Sequence, residues 1–331
     1  MTTRFGITLG DSSGIGPEVL LKAFRDGRIA YPVVAYGDLE VLAYYNQQLN
    51  YGVPLRRIRQ CADYEAGPLN VLDHALMKRA DLTPGKLNAR SGQAAREYVV
   101  AATRDALAGE IAALVTLPMN KEATQMTDPS FVGHTELIAG VCGVTDVTIM
   151  LVSEQLRVTH VSTHCSLAEA IRRVRQPRLR TILKLTSDAV GKLIENPRIA
   201  VAGLNPHAGE NGLFGREEIE EIRPAVEWAR EQGMPMEGPL PPDILFYLAV
   251  RRKRFDAVVC MYHDQGHIPL KLLDFEGGVN VALGLPIIRT SVDHGTAFDI
   301  AGQGLAQAGN LVKALELAAR LADVSGRGRL A

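Results

Sequence analysis

The chain has 331 residues, with 36 lysines and arginines against 37 aspartates and glutamates, so its net charge is -1. Hydrophobic residues make up 47% and charged residues 22%, an ordinary globular balance that excludes a disordered or fibrous protein. Near-neutral charge also excludes a general pull toward nucleic acid or an anionic membrane, so any anion must be held by a local cluster.

The first ten residues, MTTRFGITLG, hold neither a basic stretch nor an apolar run of signal-peptide length. Nowhere does the chain approach the ~18 apolar residues needed to span a bilayer. Cys61, Cys142, Cys165 and Cys260 are scattered, with no C-x-x-C pair, which is the pattern of reduced thiols. A soluble, cytoplasmic protein is expected, with no nucleic-acid or membrane partner.

In chain order, short β-branched runs predict strands at 5–9, 33–36, 112–116, 147–152, 156–162, 199–204, 257–261 and 279–282. Between many of them, amphipathic spacing predicts helices at 18–24, 94–107, 167–174, 180–194, 217–231 and 310–321. Pro17 follows a Gly-rich turn at a first-turn position, and Ser166 with Glu169 spells a capping box. Alternation of this kind predicts an α/β fold with a largely parallel, buried sheet. The length suits one large or two modest domains. No repeat or polar linker interrupts the chain, so two domains would be joined by several crossings. The expected division is 1–128 with 285–331, and 129–284.

In an open parallel sheet, ligands sit beyond the carboxyl ends of the strands, which directs attention to the residues that follow each strand. The segment 10–18 is a Gly-rich turn into a helix, and L-P-M-N-K ends at Lys121. Thr163-His164, Asn205-Pro206-His207-Ala208-Gly209-Glu210 and Tyr262-His263-Asp264-Gln265-Gly266-His267 follow three further strands. Seven of the eight histidines lie between His134 and His294. Three of them, His164, His207 and His263, stand at strand ends, where neutral imidazoles suit a divalent transition metal with an open position. Taken singly, each is better read as a hydrogen-bonded structural residue; taken as a set at strand ends, the metal reading draws level, and spacing alone does not prove convergence. His160 reads as structural, His267 as a neighbour of the site, and His74, in a helical context, as surface or core.

Anion-binding candidates lie elsewhere. Gly133-His134-Thr135-Glu136 resembles a turn opening a helix, whose free N–H groups favour an anion. Lys271, Asn280 and Arg289 punctuate an otherwise apolar stretch; a guanidinium fork with a lysine nearby would hold phosphate or carboxylate, although such side chains beside leucines can also simply snorkel. Neither G-x-G-x-x-G nor G-x-x-x-x-G-K-[ST] occurs, so a Rossmann dinucleotide site and a P-loop are disfavoured.

With those residues in view, a resemblance emerges. GDSSGIGPE (10–18), LPMNKEA (117–123), GHTEL (133–137), STHCSL (162–167), GLNPHAGENGLFGREE (203–218), GPLPPD (238–243), MYHDQGHIPLKLL (261–273) and GLPIIRTSVDHGTAFDIAG (284–302) resemble the 4-hydroxythreonine-4-phosphate dehydrogenase (PdxA) family, nearly end to end. The resemblance implies a homodimer of chains with two α/β/α domains, a central cleft and an active site shared near the dimer interface. It implies NAD as cofactor and a divalent metal on His164, His207 and His263, one ligand coming from the partner subunit. Zinc is the expected metal, with magnesium, manganese, cobalt and nickel as alternatives. The family's substrate contacts fall on His134, Thr135, Lys271, Asn280 and Arg289. Asp264 or Asp243 would orient ligands or accept a proton, and Lys121 is a further catalytic candidate.

The stretch 294–302 also resembles the NAD-binding loop of the isopropylmalate and isocitrate dehydrogenase superfamily, which uses no Rossmann motif. Cofactor contacts are therefore expected at His294, Gly295, Thr296 and Asp299, in the first domain; metal, substrate and dimer contacts are expected in the second. Ser12-Ser13 replace the Pro-Ala common in the vitamin B6 enzymes, and His267-Ile268-Pro269-Leu270-Lys271 looks more like a second branch acting on 4-phospho-D-threonate or 4-phospho-D-erythronate. The expectation is oxidation at C3 followed by decarboxylation to dihydroxyacetone phosphate and CO2. The alternatives are 4-hydroxy-L-threonine 4-phosphate oxidation, oxidation of a cis-dihydrodiol carboxylate, a non-redox three-histidine lyase or hydrolase, and a non-catalytic sensor of phosphorylated sugar acids.

Overall fold

In the computed structural model, residues 3–275 and 277–322 are described. Contacts divide the chain into two units, one running to Thr145 and resuming at Leu285, the other spanning Asp146–Gly284. The first unit thus extends past the expected end at 128, because a helix over His134–Cys142 packs on the long helix Ala89–Leu107. The final expected residues, 323–331, lie outside the described residues.

In the first unit the strands are β1 (Phe5–Thr8), β2 (Val33–Gly37), β3 (Leu55–Ile58), β4 (Leu69–Asp73), β5 (Ala113–Thr116) and β12 (Arg289–Val292). They lie in the order β3-β4-β2-β1-β5-β12, every neighbouring pair parallel. The helices are α1 (Gly16–Arg25), α2 (Leu39–Gln48), α3 (Ala89–Leu107), α4 (Lys121–Gln125), α5 (His134–Cys142) and α11 (Gly309–Ala322). Central strands read as continuous apolar runs because both faces are covered; Ile7, Val34, Val71 and Leu114 are all buried. Side-chain caps fix two helix starts. Asn88 accepts from the N–H groups of Arg90 and Ser91 ahead of α3, and Asn120 accepts from Ala123 ahead of α4.

The second unit orders β11 (Val279–Leu283), β6 (Thr148–Val152), β7 (Arg157–His160), β10 (Ala257–Cys260), β8 (Ile199–Ala202) and β9 (Met236–Leu240). Here β6 runs antiparallel to both neighbours, and the rest pair in parallel. Its helices are α6 (Leu167–Arg173), α7 (Gln176–Gly191), α8 (Arg223–Glu231), α9 (Pro242–Val250) and α10 (His263–Leu273). Ser166 caps α6 by accepting from Glu169 N–H at 3.2 Å, as its spacing predicts. Leu151, Val158, Ala200, Val258, Leu245, Phe255 and Leu270 form the core.

All eight predicted strands are present, each within a few residues. His74 differs from expectation. It follows β4 rather than lying in a helix, and its ring sits beside those of Tyr36 and Tyr98. The four cysteines are free. Among the described residues, no helix is long and apolar enough to cross a membrane.

Candidate active site

Within the first unit, parallel pairing brings the ends of β1, β5 and β12 to one side. Arg289 opens β12, opposite Leu114, and its side chain runs along the sheet to Thr116, the last residue of β5. Its Nε and Nη2 donate to the Thr116 hydroxyl at 3.2 and 2.7 Å. The arginine is 3% exposed. Burial lowers its pKa to about 10, opposed by the Glu136 carboxylate, so it remains a cation at neutral pH. Among the described residues it makes no ion pair. His134 opens α5, and burial first, then the Arg289 charge, pushes it down to about 3. Its Nε2 is buried without a hydrogen-bond partner. Thr135 follows, half-buried, in the same first turn. Gly133 offers no side-chain cap to α5, so this turn keeps N–H groups for an anion. His134, Thr135 and Arg289 thus belong to one electropositive corner.

The loops after β1 and β12 meet in the same unit. Ile15 N–H donates to Thr296 O at 3.0 Å. A Cβ on Gly14 would stand 2.8 Å from that oxygen, which is why the turn needs glycine there. Gly85, at φ +75°, faces Phe298 O, which would lie 2.7 Å from any Cβ. His294 has a buried Nε2 with no partner, while Gly295 and Asp299 are exposed. A backbone cradle with one orphaned imidazole nitrogen fits a cofactor that offers both polar edges and phosphates. Lys121, the first residue of α4, is exposed.

Residues of the second unit supply the histidine cluster. His164 follows β7, and its ring lies 5.7 Å from that of His263, the first residue of α10. His263 stacks on His267 with centroids 3.6 Å apart, and His267 packs on His160 at 4.7 Å. Burial, then the neighbouring His263, lowers His267 to about 4, while burial with the two neighbouring imidazoles pushes His160 far down. Both therefore stay neutral. His207 stands apart from these rings. It sits in a left-handed turn where His207, Ala208, Gly209, Glu210 and Asn211 all have φ between 40° and 77°. Among the described residues, no three His, Cys, Asp or Glu side chains gather closely enough to hold a metal. One chain thus brings together two of the three expected ligands.

The donor chemistry nevertheless fits a metal. His263 Nδ1 lies 2.7 Å from Asp264 Oδ1, and His207 Nδ1 lies 3.1 Å from Glu210 Oε2. A carboxylate on one ring nitrogen orients the other for ligation. Asp264 therefore acts on His263. Asp243 is exposed in the first turn of α9. Lys271 Nζ lies 5.4 Å over the Phe275 ring, and the Asn280 Oδ1 is buried without a hydrogen-bond partner.

Four supporting residues escaped the sequence reading. Thr116 holds Arg289. Glu18, fully buried, accepts from Gly302 and Ala306 N–H at 3.2 and 2.8 Å, anchoring the segment after the 294–299 loop. Asp11, also fully buried, accepts from Ser13 N–H and the Ser91 hydroxyl; burial raises its pKa against those bonds. Glu218 Oε1 accepts from Leu204 and Asn205 N–H, both at 2.7 Å, and Oε2 accepts from Asn205 Nδ2 at 3.0 Å, which ties down the His207 turn. For Glu218 a signal was present: with Ile222, Val226 and Ala229 it forms one buried helical face, where an acid needs an assigned partner.

Each unit is thus an α/β layer structure, a strand sheet covered by helices. A β-decarboxylating dehydrogenase from Thermococcus kodakarensis shares the fold alone, with a TM-score of 0.50 and 15% identity over 98% of this chain and 84% of that one. Within that class the chain belongs to the PdxA family, described as pyridoxal phosphate biosynthetic protein PdxA, which matches residues 28–318. A D-threonate 4-phosphate dehydrogenase from Cupriavidus necator is 47% identical, covering 96% of each chain. The crystal structure of a 4-hydroxythreonine-4-phosphate dehydrogenase from Klebsiella pneumoniae superposes with a TM-score of 0.88 at 42% identity, covering 97% of this chain and all of that one. The chain is a PdxA-type dehydrogenase.

Proposed function

We propose that the protein oxidises and decarboxylates a 4-phosphorylated 3-hydroxy acid, 4-phospho-D-threonate or 4-phospho-D-erythronate, to dihydroxyacetone phosphate and CO2 with NAD as hydride acceptor. The observation that carries this reading is the buried Arg289 cation, which has a neutral hydroxyl for its partner and His134 beside it. Such a corner is stable in use only when an anion completes it. The 47% identity to a D-threonate 4-phosphate dehydrogenase supports the substrate class. A second reading, 4-hydroxy-L-threonine 4-phosphate, is favoured by the 42% identical structure of that name.

Arg289, His134 and Thr135 hold one anionic end; the family resemblance assigns substrate contacts to Lys271 and Asn280 as well. His164, His207 and His263 would hold a divalent metal, zinc foremost. When bound, the metal would supply Lewis acidity that favours an alkoxide at C3 and the enolate left by CO2 loss. Asp264 and Glu210 keep the ligating imidazoles in one tautomer. With Asp264 so engaged, Lys121 and Asp243 are left for proton transfer. His294, Gly295, Thr296 and Asp299 line the NAD cradle, in which Glu18 and Gly14 hold the loop.

His207 is the ligand supplied across a homodimer. Its side chain is 62% exposed, and the turn is flanked by exposed Leu213 and Phe214. Helix α9, which packs on that turn, exposes Ile244 and Tyr247. A ligand-bearing turn set among exposed apolar side chains calls for a second copy to cover it.

The test is NADH formation by metal-replete protein, with 4-phospho-D-threonate and 4-hydroxy-L-threonine 4-phosphate compared in parallel. Preference for the threonate is expected. Preference for the amino acid would make the second reading correct, and silence with both would overturn both.

A further inference from the structure

We propose that Thr116 is the positioning residue of the anion site, fixing the Arg289 fork with a neutral acceptor so that the guanidinium keeps its charge for substrate. The inference deepens the reading above and rests on it. A buried arginine is ordinarily held by a carboxylate, which satisfies its N–H groups and cancels its charge. Here the acceptor is a hydroxyl. Thr116 is 1% exposed and takes both Nε–H and Nη2–H, so one face of the fork is fixed without negative charge.

The strand register explains how this arises. Arg289 pairs with Leu114 and Ser291 with Thr116, so Arg289 and Thr116 are diagonal neighbours on one sheet face. The guanidinium is drawn along β5 toward its carboxyl end, the side on which ligands bind in parallel sheets. The charged or titratable groups bearing on it are few. Glu136 in the first turn of α5 attracts it, and His134, neutral in this setting, lies beside it. Valine would preserve the volume of Thr116 but accept nothing, freeing the fork to rotate. Serine would restore the acceptor.

The experiment compares wild type with Thr116→Val and Thr116→Ser, using inorganic phosphate as the probe in thermal-shift titrations and the phosphorylated acid in steady-state assays. Thr116→Val should weaken phosphate binding and raise KM by about tenfold, with kcat changed far less, as expected for losing hydrogen bonds to a charged group. Thr116→Ser should recover most of both. If Thr116→Val fails to fold, Thr116→Cys, which keeps the volume and accepts weakly, should show the same KM effect. Phosphate binding by the valine variant equal to wild type overturns the proposal and leaves the dehydrogenase reading intact. Wild type that binds phosphate through Thr116 but reduces no NAD with any 4-phospho acid overturns that reading and leaves the positioning role standing. Wild type blind to phosphate overturns both.

Discussion

Replacing Glu218 by glutamine should loosen the His207 turn without removing any proposed ligand. The turn holds four non-glycine residues, His207, Ala208, Glu210 and Asn211, at left-handed φ, each of which costs roughly 1–2 kcal/mol. Glu218 offsets part of that through the three hydrogen bonds it accepts at the base of the turn, two of them from backbone N–H groups. Gly209, at φ +77°, lies so close to the carboxylate that a Cβ there would be 2.6 Å from Oε2. In Glu218→Gln the carbonyl oxygen can keep the two backbone bonds, each weaker by about 1 kcal/mol once the charge is gone. The amide NH2 then faces the Asn205 NH2, donor against donor, which removes the third bond at about 1–2 kcal/mol. Relief of burying a charge returns part of this, leaving a net loss of about 2–3 kcal/mol. Urea unfolding of the apo protein should show that loss. Zinc titration should show affinity reduced about 10–100-fold, the usual effect of disturbing a residue that orients a ligand. Wild-type stability together with wild-type zinc affinity would refute the reasoning.

Two further outcomes follow from burial and exposure. His134 is depressed from 6.5 to about 3 when folded, so the unfolded chain takes up the proton first. Its contribution is fully present above pH 6.5 and is lost as pH falls, at up to ~1.4 kcal/mol per unit; because the residue keeps some exposure, about half that slope is expected. His134→Asn should flatten the decline in unfolding free energy between about pH 7 and about pH 5, and parallel slopes for the two proteins would count against a buried neutral imidazole. Leu213, 72% exposed beside the His207 turn, should tolerate Leu213→Asp in folding yet shift the protein toward monomer in light scattering, with metal lost in step. A variant that stays dimeric and metal-loaded would place the dimer contact elsewhere.

The fold was legible wherever burial and polarity agree. Strands β1, β2, β5, β8 and β10 are short β-branched runs with every residue buried, so composition alone exposes them. The missed elements break that agreement. In β12, Arg289, Thr290 and Ser291 are polar yet 3%, 0% and 6% exposed, and nothing in R-T-S-V suggests a strand inside a sheet. β3, L-R-R-I, lies at a sheet edge with Arg57 exposed and Arg56 half-buried, so it lacks an apolar run. Helix α10 carries Pro269 within it, a residue that ordinarily ends a helix. The first-unit boundary moved because α5 is held by contacts with α3, a matter of tertiary packing that spacing does not report.

The site divides along a related line. Residues whose chemistry is unusual in context, such as histidine at a strand end or arginine in an apolar stretch, stand out in the sequence because burial penalises them unless they have a task. Their supports do not. Thr116 is one more β-branched residue in a strand, and Glu218 is one glutamate among four in R-E-E-I-E-E. What makes each matter is a partner far along the chain: Arg289 for Thr116, and the backbone of Leu204 and Asn205 for Glu218. The two supports share a physical design. In each case an ionic group meets neutral partners, so the local charge is oriented without being cancelled. At Arg289 that leaves a cation for the proposed anionic substrate; at the His207 turn, among the described residues, the carboxylate hydrogen-bonded to the imidazole is its own Glu210. Preorganised charge of this kind is stabilised fully only when the ligand arrives, which is why the same residues that look poorly paired in the free chain are the ones assigned to binding.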